Sequence, residues 1–188
     1  LKNARSKGEP SMGAGNIYPI PLDQIIIPPY EIPEYYERIC GFDVGWNNTA
    51  AVWLAINPDT GSMVMYDEYL KGGVEPVIHA SALRSRGDWL NIMIDPAARG
   101  RSQVDGQKLM DLYRQEKLNI YPAKNEVEAG ILSIWGALST GKLKIFNNLY
   151  GFQREYALYR RDLDGKVIKE NDHILDALRY AATSPRRA

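Results

Sequence analysis

Three aspartates and a histidine are the residues of this 188-residue chain best suited to do chemistry. Asp43 lies near the end of the apolar stretch Arg38-Ile39-Cys40-Gly41-Phe42-Asp43-Val44-Gly45-Trp46. Asp95 closes Leu90-Asn91-Ile92-Met93-Ile94-Asp95, and Asp176 sits inside Asp172-His173-Ile174-Leu175-Asp176-Ala177-Leu178-Arg179-Tyr180. A carboxylate in apolar surroundings costs free energy unless it is hydrogen-bonded, paired or bound to a metal. Two strand ends and a helix, each offering a carboxylate, can converge on one divalent-metal site. Such a site suits phosphodiester hydrolysis, in which two ions about 4 Å apart neutralise the scissile phosphate, activate a water and stabilise the leaving oxygen. Magnesium prefers oxygen ligands in octahedral geometry, and manganese serves as its probe. Carboxylates held that close repel one another until a cation arrives. With no fixed lysine expected beside them, they should hold a second ion loosely. His173, one helical turn before Asp176, can ligand a metal, orient Asp176 or move a proton near neutral pH.

Each of these residues also has a plain structural reading. Asp43 can be a turn aspartate at a strand end, and Asp95 precedes Pro96 in an ordinary turn opener. On a helix at roughly 100° per residue, Asp172, His173, Asp176, Arg179 and Thr183 share one arc opposite an apolar one, as a solvated face would. The coincidence of three such aspartates favours the functional reading. Asp172, or Asn171, is the natural N-cap, and capping is preferred to a ligand role for Asp172. His79 has no acidic neighbours and reads as structural or surface. No Cys/His cluster offers a zinc site. Gly136-Ala137-Leu138-Ser139-Thr140-Gly141-Lys142-Leu143 nearly matches a phosphate-binding loop, but Leu143 stands where a hydroxyl must meet magnesium. The segment also follows a helix, and a helix terminus running into a strand explains it better.

Around Asp43, strand alternation puts Ile39, Gly41 and Asp43 on one side and Cys40, Phe42 and Val44 on the other. Both sides are mostly apolar, as in a central strand covered on both faces. Residues 49–57 and 62–70 read as strands joined by Pro58-Asp59-Thr60-Gly61 into a hairpin. A helix is expected over 75–86, a strand ending at Asp95, then a basic, glycine-hinged loop with Arg99 and Arg101. Those two arginines are placed to hold a phosphate. Trp46, just after Asp43, lines the same cleft or covers the core. Helices follow over 107–116, 126–138, 151–161 and 172–183, with short strands at 119–121 and 143–146. Three meander strands followed by alternating helices and strands indicate an α/β fold, a mixed sheet flanked by helices. The order β-β-β-α-β-α-β-α is that of ribonuclease H-like folds, and the three aspartates fall where that fold carries acids.

Residues 1–37 are rich in turn formers and proline, which prevents a long helix and favours an extended linker, laid on the surface through Ile25-Ile26-Ile27. Lys+Arg and Asp+Glu tie at 23 each, so bulk charge names no partner, and a nucleic-acid binder would need local basic patches. The one cysteine, Cys40, cannot form an internal disulfide and reads as a buried thiol in a reducing cytoplasm. No apolar run approaches membrane-spanning length. The first residue is Leu, which points to a fragment or a processed chain.

Gly41-Phe42-Asp43-Val44-Gly45-Trp46, Ile94-Asp95-Pro96-Ala97-Ala98 and Asn171-Asp172-His173-Ile174-Leu175-Asp176-Ala177-Leu178-Arg179-Tyr180 resemble, in order, the two acidic strands and the closing helix of a known family. It is the nuclease domain of the large terminase subunit of tailed bacteriophages, the DNA-packaging motor and headful endonuclease. The segment 7–19 resembles the place where that family's ATPase domain runs into a linker. The resemblance implies a ribonuclease H-like domain over 38–188, a linker over 1–37 and an N-terminal ATPase domain outside this chain. It also implies two-metal cleavage of double-stranded DNA concatemers with Mg²⁺ or Mn²⁺, Asp43, Asp95 and Asp176 as ligands and His173 as auxiliary. The implied partners are duplex DNA, the ATPase domain of the same protein, the portal protein and the small terminase subunit, in the host cytoplasm. Two rival readings share the fold: a Holliday-junction resolvase or transposase core, and a non-catalytic module that grips DNA for the motor.

Overall fold

The computed structural model describes residues 15–95 and 103–184. Its strands are β1 (Gly15–Asn16), β2 (Ile26–Ile27), β3 (Glu37–Asp43), β4 (Thr49–Ile56), β5 (Met63–Lys71), β6 (Asn91–Ile94), β7 (Asn119–Pro122), β8 (Leu143–Phe146) and β9 (Arg160–Arg161). Its helices are α1 (Pro76–Arg84), α2 (Gln103–Gln115), α3 (Val127–Ser139), α4 (Tyr150–Leu158) and α5 (His173–Thr183). Seven strands form one sheet in the order β2-β8-β5-β4-β3-β6-β7. The run β3–β4–β5 is an antiparallel meander, and β6, β7, β8 and β2 join parallel to their neighbours. This is the expected ribonuclease H-like arrangement.

Alternation along β3 sets the two layers. Cys40 and Phe42 pack with Trp53, Ala80, Leu83, Met110 and Tyr113, under α1 and α2. The opposite face is covered by α3, α4 and α5 through Ile131, Ile134, Phe152, Ile174, Leu178 and their neighbours. Every residue of β4 is buried, as a strand with helices on both faces requires. Gly41 faces α5, and a Cβ placed there would come within 1.8 Å of the Ala177 carbonyl oxygen. Glycine at this position is what lets α5 lie against the backbone of β3.

Pro58 to Gly61 close the hairpin, with Gly61 at φ +76°. The near-match to a phosphate loop is the end of α3 turning into β8, with Gly141 at φ +75°. Cys40 is buried and free, and burial pushes its thiol up. His79 is a structural histidine: it is buried, its Nδ1 lies 2.8 Å from the Tyr69 hydroxyl, and burial lowers its pKa, with Lys71 adding to the effect. No helix among the described residues is long and apolar enough to cross a membrane.

Two expectations need correcting. The helix expected over 151–161 ends at Leu158, because Arg160 and Arg161 pair as β9 with β1 and the Tyr159 carbonyl accepts from Ile17 N–H. Tyr18 stacks on Tyr156 across that join, so tertiary pairing outcompetes continuation of the helix. Between residues 15 and 36 the prolines leave no α-helix, only short strands and a 3-10 turn at Leu22–Gln24, but this segment does more than lie on the surface. Ile25 is fully buried, Tyr18 is nearly so, and β2 adds an edge strand beside β8.

Candidate active site

The site is built on the paired ends of β3 and β6. Phe42 stands opposite Ile94 in their parallel register, so Asp43 and Asp95 are the next residues on adjacent strands, whose spacing is roughly 4.8 Å. Phe42 and Ile94 point into the α1/α2 layer, so the acids that follow them point the other way, toward α5. Two contacts fix the helix over them. Nδ1 of His173 lies 3.2 Å from Oδ2 of Asp43. The Tyr180 hydroxyl donates to Oδ2 of Asp95 at 3.1 Å. Asp176 comes three residues after His173 and four before Tyr180, hence between them on the same helical face. The structure thus brings together Asp43, Asp95, Asp176 and His173. The three carboxylates are 0%, 6% and 6% exposed, in that order.

This burial rules out the solvated-face reading of α5. Arg179, on the same arc, is also buried, and its Nη2 donates to Oδ1 of Asp176 at 3.2 Å. Its guanidinium lies over the Tyr180 ring, 4.8 Å from the centroid. Burial alone would lower the Arg179 pKa, but Asp176 and the nearby tyrosine oxygens outweigh it and hold the group above its ordinary value. A buried carboxylate with a buried guanidinium beside it keeps its charge at far lower cost than an isolated one.

Lys169 approaches the acids from solvent: its Nζ is 3.9 Å from Oδ2 of Asp172 and 4.0 Å from Oδ2 of Asp176, on a side chain that is 60% exposed. Asp172 occupies the N-cap position of α5, but its side chain caps nothing. Its φ/ψ of −124°/4° lies away from the extended conformation a capping side chain needs, and the first N–H groups of α5 are taken by Glu155 instead. Burial, followed by the neighbouring Asp176, pushes the Asp172 carboxyl up.

By donor type, three aspartates on one face fit a hard divalent cation that prefers oxygen. The lone thiol, Cys40, points to the opposite layer. As they stand, the acids are engaged with protein partners, and no group of three or more His, Cys, Asp or Glu among the described residues is arranged to hold a metal ion. Trp46 is 64% exposed on the loop after β3, so it does not cover the core. Arg99 and Arg101 lie outside the described residues.

Sequence reasoning missed Tyr180, Arg179, Lys169 and Glu155 as contributors. For Tyr180 a signal existed, since it follows Asp176 by one helical turn. For Glu155 there was none, because its partners are nineteen and twenty residues away along the chain.

Comparison with known proteins places the fold. A family described as "Terminase RNaseH-like domain" matches residues 40–184. The large terminase subunit of Salmonella phage P22 is 29% identical over 187 residues, covering 95% of this chain and 38% of that protein. The chain therefore spans well under half the length of that relative. Among solved structures, the P22 large terminase nuclease domain matches with a TM-score of 0.83 at 28% identity, covering 90% of this chain and 92% of that one. The large terminase nuclease from thermophilic phage G20c, solved with bound magnesium, has a TM-score of 0.63 at 18% identity and covers 93% of this chain and 98% of its own, a likeness of fold.

Proposed function

The chain belongs to the Terminase RNaseH-like domain family, and from that premise we propose that it is a metal-dependent endonuclease cutting double-stranded DNA concatemers during viral genome packaging. The observation that carries the proposal is the convergence of Asp43, Asp95 and Asp176 from two adjacent strand ends and α5 onto one buried face. The magnesium held by the G20c domain of the same fold supports a divalent cation as the cofactor.

Asp43, Asp95 and Asp176 would hold the metal, Mg²⁺ or Mn²⁺, as two ions. When bound, these ions supply charge neutralisation at the phosphate and an activated water. Asp43 and Asp95 contribute oxygens whose spacing is set by strand register. Asp176 closes the set from the helix, with Arg179 holding one of its oxygens. His173 orients Asp43 through Nδ1, and its part-exposed ring can exchange a proton with water at the site. Tyr180 fixes Asp95 through the phenol hydrogen. Arg99 and Arg101, which follow Asp95 in the sequence, would clamp a backbone phosphate, with the exposed Trp46 beside the duplex.

In the full-length protein, residues 1–37 would link this domain to an ATPase domain. The assembled motor would work with the portal and the small terminase subunit in the host cytoplasm. Soaking crystals with Mn²⁺ tests the reading: two ions between the three aspartates are expected, together with nicking of unbranched plasmid DNA. No ion, with DNA bound but uncut, would leave a gripping module. Preference for branched substrates would point to a resolvase.

A further inference from the structure

Two packed helices, α4 and α5, share a means of anchorage. Neither α4 nor α5 is capped by the side chain of its own N-cap residue, Leu149 or Asp172. In α4, the N–H groups of Gly151 and Phe152 donate to Oε1 and Oε2 of Glu68, on β5, at 2.8 and 2.7 Å. In α5, the N–H groups of Ile174 and Leu175 both donate to Oε1 of Glu155, on α4, at 2.8 and 3.2 Å. Each glutamate thus takes the second and third N–H of the next helix, groups that have no partner within the helix itself. The sheet holds α4, and α4 holds the end of α5 that carries His173 and Asp176.

We propose that Glu155 is a positioning residue of the nuclease site, with Glu68 as the anchor behind it. This rests on the functional reading above. Glu155 touches neither the substrate nor the proposed ligands. It acts through the first turn of α5, where His173 is the first residue and Asp176 the fourth. Two further observations support it. Glu155 is 2% exposed, and a carboxyl so deeply buried has little other use than the bonds it makes. Gly151, at the join, would bring a Cβ within 3.0 Å of Oε1 of Glu68 and 2.8 Å of Cδ1 of Ile174, so the sequence leaves room there for both contacts.

Burial pushes the Glu155 carboxyl up to about 7, outweighing the two N–H bonds that favour its charged form. Both bonds go to Oε1, so a neutral group with its proton on Oε2 still accepts them. Glutamine offers the same oxygen, whereas leucine offers none. Phe152→Leu, in the buried face of α4, supplies a matched loss of packing with both bonds kept.

The test compares Glu155→Gln, Glu155→Leu and Phe152→Leu in this chain. Plasmid nicking is followed at saturating Mn²⁺, with melting temperature and the His173 ring signals read by NMR. Expected are a kcat at least tenfold lower for Glu155→Leu at little-changed KM for DNA, displaced His173 signals, and rescue of both by Glu155→Gln. Phe152→Leu, matched in melting temperature, should keep kcat and the His173 signals. The proposal is overturned if Glu155→Leu and Phe152→Leu behave alike, or if Glu155→Gln is as impaired as Glu155→Leu. Should the unaltered chain cut no DNA, the nuclease reading fails by itself, and the His173 signals of the same three variants still decide whether Glu155 positions the helix.

Discussion

Asp43 and Asp95 stand on the floor of the site, where backbone register decides their place, whereas His173 and Asp176 stand on a wall whose place is decided by side chains. The floor is two parallel strands, the fifth and sixth of a seven-stranded sheet, and any displacement of one acid relative to the other would break ladder hydrogen bonds along β3 and β6. The wall is one eleven-residue helix. It is kept in place by the Gly41 contact beneath it, by His173 and Tyr180 bonding to the floor acids, and by Glu155 at its end. A ladder is rigid and insensitive to any single side chain. A helix packed on the sheet through its apolar face but oriented by a few polar contacts can be shifted by one substitution, so the wall is where the geometry of the site can be tuned.

The sharpest test removes charge without moving either part. Asp43→Asn, Asp95→Asn and Asp176→Asn should each lower cleavage by roughly 10³-fold or more, since several kcal/mol of charge stabilisation go with a ligand. Melting temperatures should stay close to that of the unaltered chain. A variant that nicks plasmid at the normal rate takes its residue out of the site.

His173→Ala loosens the bond between wall and floor but leaves all three carboxylates. We expect a loss of about 10- to 100-fold, in the range seen when an orienting partner of a metal ligand is removed. An unaltered rate would return His173 to a purely structural role.

Gly41→Ala attacks the contact from beneath. The new methyl would overlap the Ala177 carbonyl oxygen, and forcing α5 outward should cost about 1–3 kcal/mol, read from chemical denaturation. Activity should fall further than stability alone accounts for, because His173 and Asp176 move while Asp43 and Asp95 do not. Equal stability in the variant would mean that the helix is not seated on β3.

Glu155 sharpens the comparison through pH. Its carboxyl, ordinarily near 4.5, is raised to about 7 in the folded chain, chiefly by burial. A raised pKa means that the folded state binds the proton more tightly than the unfolded one. The associated stability is therefore fully present below pH 4.5 and is lost as pH rises through 7. The loss should be on the order of 3 kcal/mol, and Glu155→Gln should flatten that part of the stability profile. The smallest effect belongs to the two arginines that follow Asp95 in the sequence. Arg99→Ala with Arg101→Ala should weaken duplex binding and lower the slope of log affinity against log salt by about 2, leaving Mn²⁺ binding unchanged. Normal cutting by the double variant would remove this pair from DNA recognition.

Much of this molecule was legible in one dimension because its signals are local. The two-residue period around Asp43 and the apolar runs fixed β3, β4 and β6, and turn chemistry fixed the hairpin. The 3.6-residue period marked α5 as one apolar and one polar face. Those periods also point Asp43, Asp95 and Asp176 out of their elements at matching positions. Local signals misled where tertiary pairing won. The helix expected to reach residue 161 stops at Leu158 because β1 takes the strand that follows, and the prolines before β3 do not keep Ile25 out of the core.

By itself, the order of amino acids determined which residues were available for chemistry and the elements that carry them, because periodicity, capping propensity and turn preference act over a few residues. Only the tertiary structure decided that the polar arc of α5 is buried rather than solvated, since that depends on which surface covers it. The same holds for the caps. Asp172 has the right chemistry and position to cap α5, yet the helix is capped by Glu155, and α4 by Glu68 from eighty-three residues away. A hydrogen bond depends on distance in space, and no pattern along the chain encodes a distance that exists only once the sheet and its helices have come together.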